Sequence, residues 1–300
     1  MRRLIRELLI SIYRTLDRKR KLFPNGINRT LNFGHIKLNL NILDAGGYTY
    51  YNSRKSYEEY MSKLYDLINT ALNPKIILDI GANYGFISSI SASKMPQAKI
   101  IAIEPSKRLI PYIEKNFRLN DVKNYEILNS VCGEDDRSSY SFSINPFSSQ
   151  DNRVLSPKSN WLIEKSNMIS IDSILKNTTF DEPVFIKIDT QGFEQKVFAG
   201  GKSFLGSNKN WIIKTEFGPH WIKSQNSDPL KFLSDLVNRY EVAELPATIP
   251  YLTNNISDLF NFSFDSMSVE GFIKYLEKLD KNNLGWCDLI IRPKKDVKKE

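Results

Sequence analysis

The sequence predicts an α/β fold in which a mostly parallel central sheet has helices on both faces and an N-terminal helical extension. Apolar, β-branched runs alternate with helical repeats from residue 75 to residue 239. The first of these runs leads through a glycine-containing turn into a helix. The 300 residues are 41% apolar and 25% charged, which is enough apolar material for one large core.

The elements are predicted in chain order from these patterns. Residues 31–51 mix alternating apolar residues with Gly46 and Gly47, which indicates short strands and a turn. Residues 57–72 have the period of a helix, and Ser106 stands where it could cap a later one. The predicted strands are 75–80, 99–104, 125–131, 184–189, 211–217 and 287–291, and the predicted helices are 84–94, 107–120, one from 193 and one from 228 to 239.

Two segments interrupt this alternation. Residues 138–166 are rich in Ser, Asn and Pro, and they form either a flexible loop or a hairpin excursion. Residues 222–285 hold the second interruption. We therefore predict an amphipathic helix with short strands over residues 1–55, and one α/β domain over residues 56–300 with insertions near 138–166 and 222–285. Such insertions are typical carriers of substrate-binding groups.

The formal net charge is +8, and much of the excess lies at the two ends of the chain. Residues 1–22 predict a basic amphipathic helix, which either docks on the protein's own core or a second subunit, or adsorbs to anionic lipid. Its apolar side is formed by Leu4, Ile5, Leu8, Leu9, Ile12, Tyr13 and Leu16. No RNP-like, zinc-finger or helix–turn–helix pattern is present, so no nucleic-acid partner is predicted. The oligomeric state stays open.

The two cysteines, Cys132 and Cys287, lie in or beside apolar runs and are predicted to be buried thiols, not a disulfide. No apolar run reaches the roughly 18 residues of a membrane span. These features predict a cytoplasmic protein, which would lie at the inner face of a membrane if the N-terminal helix binds lipid.

Residues 76–86 hold the most informative motif, in which an apolar strand leads into Asp79 and then into Gly81 and Gly85. Glycines here permit a tight turn and close approach of a ligand. The next strand ends in Glu104, whose carboxylate could accept both hydroxyls of an adenosine ribose. Asp79 disfavours a pyrophosphate in the turn, whereas a carboxylate suits the cationic S-adenosylmethionine.

The segment FIKIDTQGFE at residues 185–194 and the segment IEP at residues 103–105 resemble the FkbM-type methyltransferases, a family of class I S-adenosylmethionine-dependent enzymes with a Rossmann-like fold. The resemblance covers roughly residues 73–217. It implies O-methylation of a hydroxyl on a glycan or small metabolite. It also implies that Glu104 and Pro105 bind the ribose and that Cys132 lies near the adenine. The methionine part would be held by Asp79, Gly81, Asn83 and Gly85, and Ala82, Phe86 and Asp189 are further candidates for cofactor binding.

Methyl transfer to a hydroxyl requires two positioned reactants and a proton acceptor. Asp189 and Glu216 end neighbouring predicted strands, so both should border one crevice, as proton acceptor, substrate anchor or structural partner. His220, four residues after Glu216, is a third candidate catalytic residue. Lys187 shares a strand face with Asp189, which predicts an ion pair with a core carboxylate. Two carboxylates without a clear third ligand predict no metal.

Two other functions remain open at this point. One is a different nucleotide-dependent enzyme such as an oxidoreductase, against which Asp79 argues. The other is a non-catalytic module of a surface-glycan assembly that docks through its basic first helix. Four aromatic residues in less regular segments could stack on sugar rings or simply pack in the core: Trp161, Trp211, Trp221 and Tyr251.

Overall fold

The computed structural model describes Leu8, Ile12 and residues 26–154, 161–179, 181–208, 210–246, 253–261, 263–265 and 268–294. The predicted helix of residues 1–22 lies outside these residues, apart from Leu8 and Ile12, which are helical and exposed. Within the described part of the chain, no helix combines the length and apolarity needed to cross a bilayer.

The described strands and helices are numbered here in chain order. The strands are β1 Asn28–Phe33, β2 Ile36–Asn41, β3 Ile76–Ile80, β4 Lys99–Ile103, β5 Tyr125–Leu128, β6 Ser130–Cys132, β7 Arg137–Ile144, β8 Arg153–Val154, β9 Leu162–Ile169, β10 Val184–Ile188, β11 Trp211–Phe217, β12 Tyr240–Glu244 and β13 Cys287–Pro293. The helices are α1 Ala45–Leu72, α2 Phe86–Lys94, α3 Ile110–Leu119, α4 Ile171–Ile174, α5 Glu194–Ala199, α6 Lys202–Ser207, α7 Pro219–Ser224, α8 Pro229–Arg239 and α9 Val269–Leu279. Short 3-10 helices cover Ser149–Asp151 and Ile256–Phe260.

The central sheet has the order β12-β13-β11-β10-β3-β4-β5. Strands β3, β4, β5, β10 and β11 are parallel, whereas β13 runs antiparallel to both of its neighbours. The α/β class with a mostly parallel sheet is therefore confirmed. The predicted strand 125–131 is divided between two sheets, because β5 pairs with β4 and β6 pairs with β9. Between them, the Asn129 side chain donates hydrogen bonds to the carbonyl oxygens of Glu104 and Pro105.

Helices cover both faces of the sheet, and successive strand residues point to opposite faces, so the side chains on both sides are buried. Leu78 and Ile80 lie in the core beneath α5, α6, α8 and α9. Ile77 lies in the opposite core, beneath α1, α2 and α3. This double burial explains why the central strands are almost continuously apolar in sequence.

Residues 138–166, for which loop and hairpin were both open, contain a hairpin. Strands β7 and β9 pair antiparallel and belong to a second sheet of order β6-β9-β7-β8. Phe142 and Val154 of this sheet are buried against the main core. The insertion thus forms a packed wall beside the carboxyl end of the central sheet.

The first part of the chain differs from its prediction. The turn falls at Gly34-His35 between β1 and β2, not at Gly46-Gly47, which lie in the first turn of α1. The Asp44 side chain caps this helix by accepting a hydrogen bond from the Gly47 backbone N–H at 2.9 Å, which compensates for the poor helix propensity of two glycines. Helix α1 runs through the boundary predicted at residues 55–56, and Leu38 and Leu40 of β2 pack in the same core as Ile77.

Helix α3 begins at Ile110, three residues after the predicted start. Ser106 does not cap it; the Ser106 backbone N–H donates instead to the Glu104 carboxylate at 2.9 Å. Asp228 does cap α8, and its side chain accepts from the backbone N–H groups of Leu230 and Lys231.

Candidate active site

A cavity of about 460 Å³ opens at the carboxyl ends of β3, β4, β10 and β11. Strands β3 and β10 are neighbours in the sheet, yet the chain leaves them in opposite directions, toward β4 and toward β11. Open parallel sheets bind ligands at such a switch point. The insertion supplies one wall of the cavity, through Phe142, Val154 and residues 149–152.

The loop after β3 forms the floor of the cavity. The backbone N–H groups of Gly81 and Ala82 both donate to the Ile103 carbonyl oxygen, at 2.9 and 3.1 Å. Gly81 has a φ of 76°, and a β-carbon there would lie 1.9 Å from the carbonyl oxygen of Asp189. Only glycine fits this contact, which joins the ends of β3 and β10.

Asp79 lies beneath this loop and does not line the cavity. Its side chain is fully buried, and Oδ2 accepts from the backbone N–H and the hydroxyl of Ser88 at 3.0 and 2.6 Å. Its Oδ1 lies 3.3 Å from Nζ of Lys187. The carboxylate therefore anchors the start of α2 and neutralises a buried lysine, which corrects its expected contact with a methionine moiety.

Glu104 lines the cavity at the end of β4, in the position predicted for a ribose-binding carboxylate. Its Oε2 accepts from the Asn83 backbone N–H, and its Oε1 from the Ser106 backbone N–H, both at 2.9 Å. Burial raises the pKa of Glu104 to about 7, although these two hydrogen bonds act in the opposite direction. Each oxygen retains a lone pair for a further donor.

Beyond Glu104 the cavity becomes apolar. Pro105, Val131, Cys132, Phe142 and Val154 line this end, which we call the apolar end. Burial raises the pKa of the Cys132 thiol to about 12, so the side chain acts as a small hydrophobic group. A flat, apolar ring system fits such surroundings.

At the opposite end, Asp189 and Glu216 are joined by one side chain. The amide Nε2 of Gln191 donates to Asp189 Oδ1 at 3.2 Å and to Glu216 Oε2 at 3.0 Å. Burial, together with the nearby carboxyl groups of Asp189, Glu194 and Asp288, raises the pKa of Glu216 well above its ordinary value. The structure thus brings together two of the three predicted catalytic residues and adds Gln191 between them.

Lys187 pairs with carboxylates as predicted. Its Nζ lies 3.3 Å from Asp79 Oδ1 and 3.6 Å from Asp189 Oδ2, and it donates to the Gly81 carbonyl oxygen at 2.7 Å. Burial alone would lower the pKa of Lys187, but Asp189 and Asp79 outweigh it and the pKa is raised. This charged group links the floor of the cavity to its carboxylate end.

The loop that carries Gln191 is held by Glu194. The buried Glu194 Oε1 accepts from the backbone N–H and hydroxyl of Thr190, both at 2.9 Å, and from the Gly192 backbone N–H at 3.2 Å. Gln191 has a φ of 57°, in the left-handed region that a glutamine seldom adopts. The surrounding contacts therefore fix an otherwise unfavourable backbone conformation at the site.

The mouth of the carboxylate end is aromatic. The rings of Trp221 and Trp286 line it with their centroids 6.3 Å apart, and Trp286 is 50% exposed. Beneath them, Lys214 Nζ pairs with Asp288 Oδ2 at 2.6 Å. Ring-shaped molecules with hydroxyl groups could meet both an aromatic face and hydrogen-bonding groups here.

Residues 145–152 lie across the cavity as a strap. Asp44 holds it, because its Oδ1 accepts from the Ser149 backbone N–H and its Oδ2 from the Ser149 hydroxyl, both at 2.7 Å. The same Oδ2 also accepts from the Tyr84 hydroxyl at 3.1 Å. The buried carboxylate therefore connects the strap to the loop that precedes α2.

Eight predicted site residues line the cavity: Gly81, Ala82, Asn83, Glu104, Pro105, Cys132, Asp189 and Glu216. The structure does not bring the other four there. Besides Asp79, Gly85 is the residue from which α2 begins, and Phe86 is fully buried in the core. His220 is exposed in the first turn of α7, which turns it away from the cavity that Trp221 lines.

Of the aromatic residues considered for stacking, Trp221 lines the cavity, whereas Trp211 is buried and donates from Nε1 to the Asn208 carbonyl oxygen at 3.0 Å. Arg153 lies over the Trp161 ring, 5.5 Å from its centroid. Tyr251 lies outside the described residues. Sequence reasoning missed Trp286, Asp44 and Ser149.

Among the described residues, no group of three or more His, Cys, Asp and Glu side chains is arranged to hold a metal ion. Five carboxyl groups and two lysines line the cavity, and the carboxyl groups are those of Glu104, Asp151, Asp189, Glu216 and Asp288. The lining therefore offers many oxygen acceptors, which suit a ligand that carries hydrogen-bond donors.

The fold and the cavity define a Rossmann-like α/β protein with a ligand site at the switch point of its sheet. Residues 79–240, more than half of the chain, match the family described as the methyltransferase FkbM domain. The chain belongs to this FkbM methyltransferase family.

A curated relative is the methyltransferase sdnD of Sordaria araneosa, with 35% identity over 86 residues. The match covers 27% of this chain and spans about a third of that relative, 33% of its length. The match leaves most of both chains uncompared.

Solved structures similar to the chain include M. jannaschii TYW2 in complex with AdoMet, with a TM-score of 0.43, 11% identity, and 89% of this chain and 85% of that chain covered. The SAH-bound Podospora anserina methyltransferase PaMTH1 has a TM-score of 0.42 at 13% identity, covering 83% of this chain and 86% of that chain. The O-methyltransferase from Bacillus cereus in complex with SAH has a TM-score of 0.41 at 14% identity, covering 78% and 80%. Likenesses at this level carry no substrate or mechanism over to this chain.

Proposed function

We propose that the protein transfers the methyl group of S-adenosylmethionine to a hydroxyl of a glycan or small metabolite. One observation is the main support for this proposal. Glu104, whose carboxylate can bind a ribose, lines the same cavity as Asp189 and Glu216. These two carboxyl groups can accept or donate a proton. The family membership of residues 79–240 supports the reaction class.

The cavity residues fit this donor. Glu104 offers its remaining lone pairs to the two ribose hydroxyls, and the apolar end suits the adenine ring. Gly81 and Ala82 line the floor of the cavity, where the methionine part of the donor can lie against the backbone. The carboxyl groups of the lining can accept hydrogen bonds from the ammonium group of the donor.

S-adenosylmethionine, when bound, supplies a methyl group on a positively charged sulfur. The protein then has to orient the acceptor hydroxyl and remove its proton. Burial and the neighbouring carboxyl groups raise the pKa of Glu216, whereas Asp189 is more open to the cavity, so Asp189 is our candidate for the proton acceptor. The Asp189 side chain is 42% exposed to the cavity, and Glu216 can hold the acceptor by hydrogen bonds.

The acceptor is expected to be a ring-shaped molecule. Trp221 and Trp286 offer an aromatic surface at the mouth, and Lys214 and Asp288 offer a donor and acceptors beneath it. Aromatic faces stack on the C–H faces of sugar rings and on planar rings alike. Both the glycan and the small-metabolite alternatives therefore remain within the proposal.

To test the proposal, the protein is incubated with S-adenosylmethionine and a panel of hydroxylated sugars and phenols, and methylated products are detected by mass spectrometry. Asp189→Asn should reduce the rate by about a hundredfold or more, while Asp121→Asn, an exposed position far from the cavity, should not. Binding of S-adenosylhomocysteine without any product would instead favour the non-catalytic module. Binding of a reduced nicotinamide in its place would favour an oxidoreductase.

A further inference from the structure

A second cavity of about 420 Å³ lies on the other side of the strap. Ser149 and Asn152 line both cavities, so the two share a wall. The second cavity is bounded by the β1–β2 hairpin and by the residues around the start of α3. None of the functions considered above uses it.

Several hydrogen-bond acceptors of this second cavity already accept hydrogen bonds from the protein. Both oxygens of Asp44 accept from the Ser149, Tyr84 and Gly47 groups described above. Asn41 Oδ1 accepts from the backbone N–H groups of Ile27 and Leu43, at 3.1 and 3.0 Å. The side-chain oxygens of Asn28 and Asn152 each accept one further hydrogen bond, from the Tyr112 hydroxyl and the Asn145 backbone N–H.

The donors of the cavity are not used in the same way. Among the described residues, the side-chain amide nitrogens of Asn28, Asn41 and Asn152 have no acceptor. Arg108 and Lys115 are exposed at the rim and form no ion pair with any described residue. Asn41 is only 6% exposed, so its amide lies well inside the protein surface. The lining therefore has surplus donors and two cations.

The start of α3 adds to this balance. Arg108 and Lys115 flank the first turn of the helix, and no side chain caps that end. The helix dipole at this end favours negative charge nearby, although Pro111 has no N–H and the Tyr112 N–H already donates to the Leu109 carbonyl oxygen. Among the described residues of the lining, Asp44 is the one carboxylate, and it accepts four hydrogen bonds.

We propose that the second cavity binds an anionic group with several oxygen atoms, such as a phosphate or a carboxylate. Surplus donors and two cations complement such a group, whereas a neutral or cationic group would leave them unsatisfied. The anion belongs either to an extended acceptor that reaches past the strap or to a separate small molecule. This site does not depend on the methyltransferase proposal, because its residues are distinct from Glu104, Asp189 and Glu216.

The test is a calorimetric titration of the full chain with inorganic phosphate, glucose 6-phosphate, glucuronate and, as a neutral probe, glucose. We expect one molecule of each anion to bind, and no binding of glucose. The double variant Arg108→Gln/Lys115→Gln should weaken binding at least about tenfold. The matched variant Lys107→Gln/Arg118→Gln removes two exposed charges from the same segment outside the cavity and should change binding less than about twofold.

A third variant tests the interior of the site. Asn41→Asp keeps the oxygen that accepts from Ile27 and Leu43 but replaces the open amide with a negatively charged oxygen, so it should abolish anion binding. Tighter binding of glucose 6-phosphate than of phosphate would indicate that the anionic group is part of a larger acceptor. Equal binding of the two would indicate a free anion. Equal losses in both double variants, or no anion binding by the parent, would overturn the proposal. All variants should bind S-adenosylhomocysteine with the affinity of the parent, which shows that a loss of anion binding does not come from damage to the first cavity.

Discussion

The carbonyl oxygen of Asp189 lies where a β-carbon of residue 81 would be, only 1.9 Å from that position. Gly81 is therefore the point at which the loop after β3 and the end of β10 touch. The contact sets the distance between the floor of the cavity and its carboxylate end. Its consequences can be measured by adding a single methyl group.

Gly81→Ala should destabilise the protein by about 2 kcal/mol or more and should weaken S-adenosylhomocysteine binding, because both the positive φ and the carbonyl oxygen oppose a β-carbon. Thermal unfolding and calorimetry measure the two effects. Gly206→Ala in α6 is the matched control, since a β-carbon there meets nothing within 4 Å. It should be neutral or stabilising, as alanine is the better helix former. Equal stability of both variants would contradict the assigned contact.

Gln191→Glu places a third carboxyl group beside Asp189 and Glu216, where Gln191 now donates to both. Such a group has a raised pKa, so the folded state retains protons that the unfolded state loses, and stability falls as pH rises. The deficit in melting temperature relative to the parent should therefore grow from about pH 5 to pH 8. Gln191→Leu removes the donors without adding charge, so its deficit should grow with pH by clearly less than that of Gln191→Glu. A pH-independent deficit for Gln191→Glu would contradict the bridging role.

Glu104 gives a second, separate pH effect. Its pKa rises from 4.5 to about 7 in the folded protein, so the carboxyl group favours folding at low pH and loses that contribution as pH rises between these values. The loss amounts to roughly 3 kcal/mol above pH 7. The melting temperature of Glu104→Gln, relative to the parent, should therefore increase between about pH 5 and pH 8. A constant difference across this range would show that Glu104 ionises normally.

Asp44 should control how long a ligand stays in the first cavity. Asp44→Asn replaces one accepting oxygen with an amide that faces donor groups of Ser149 or Tyr84, which loosens the strap. Dissociation of S-adenosylhomocysteine, followed by stopped-flow fluorescence, should accelerate about tenfold. Asp66→Asn removes an exposed carboxylate that pairs with Lys94 and serves as control. Equal dissociation rates in the parent and Asp44→Asn would exclude a retaining role for the strap.

The parts of the fold that could be predicted are those set by local pattern. Strands β3 and β10 are apolar except for Asp79 and Lys187, and the turn at Gly81 needs a residue without a side chain, so both signals are visible within a few residues. Glu104 follows from its position at the end of the next strand. The predicted helix start at residue 57 was wrong, because Gly46 and Gly47 indicate a turn in the sequence. The capping by Asp44, which compensates for these glycines, depends on the folded geometry.

The remaining errors come from contacts between distant segments. His220 follows Glu216 closely in sequence, but α7 begins between them and leaves it exposed. Ser149 lies 105 residues from Asp44, so no local pattern predicts the strap. Trp286 reaches the mouth because the antiparallel strand β13 pairs Asp288 with Glu216. Such pairings depend on the whole sheet and carry no short-range signal.

Calorimetric titration with S-adenosylhomocysteine tests the central claim most directly, because it needs no acceptor. We expect one binding site per chain with micromolar affinity. Glu104→Gln should weaken binding at least about tenfold, because it removes a charge-assisted hydrogen bond to the ribose. The control Lys107→Gln should bind as the parent does. Absence of binding at millimolar ligand, or equal affinity of the parent and Glu104→Gln, would contradict the assignment of this cavity to the methyl donor.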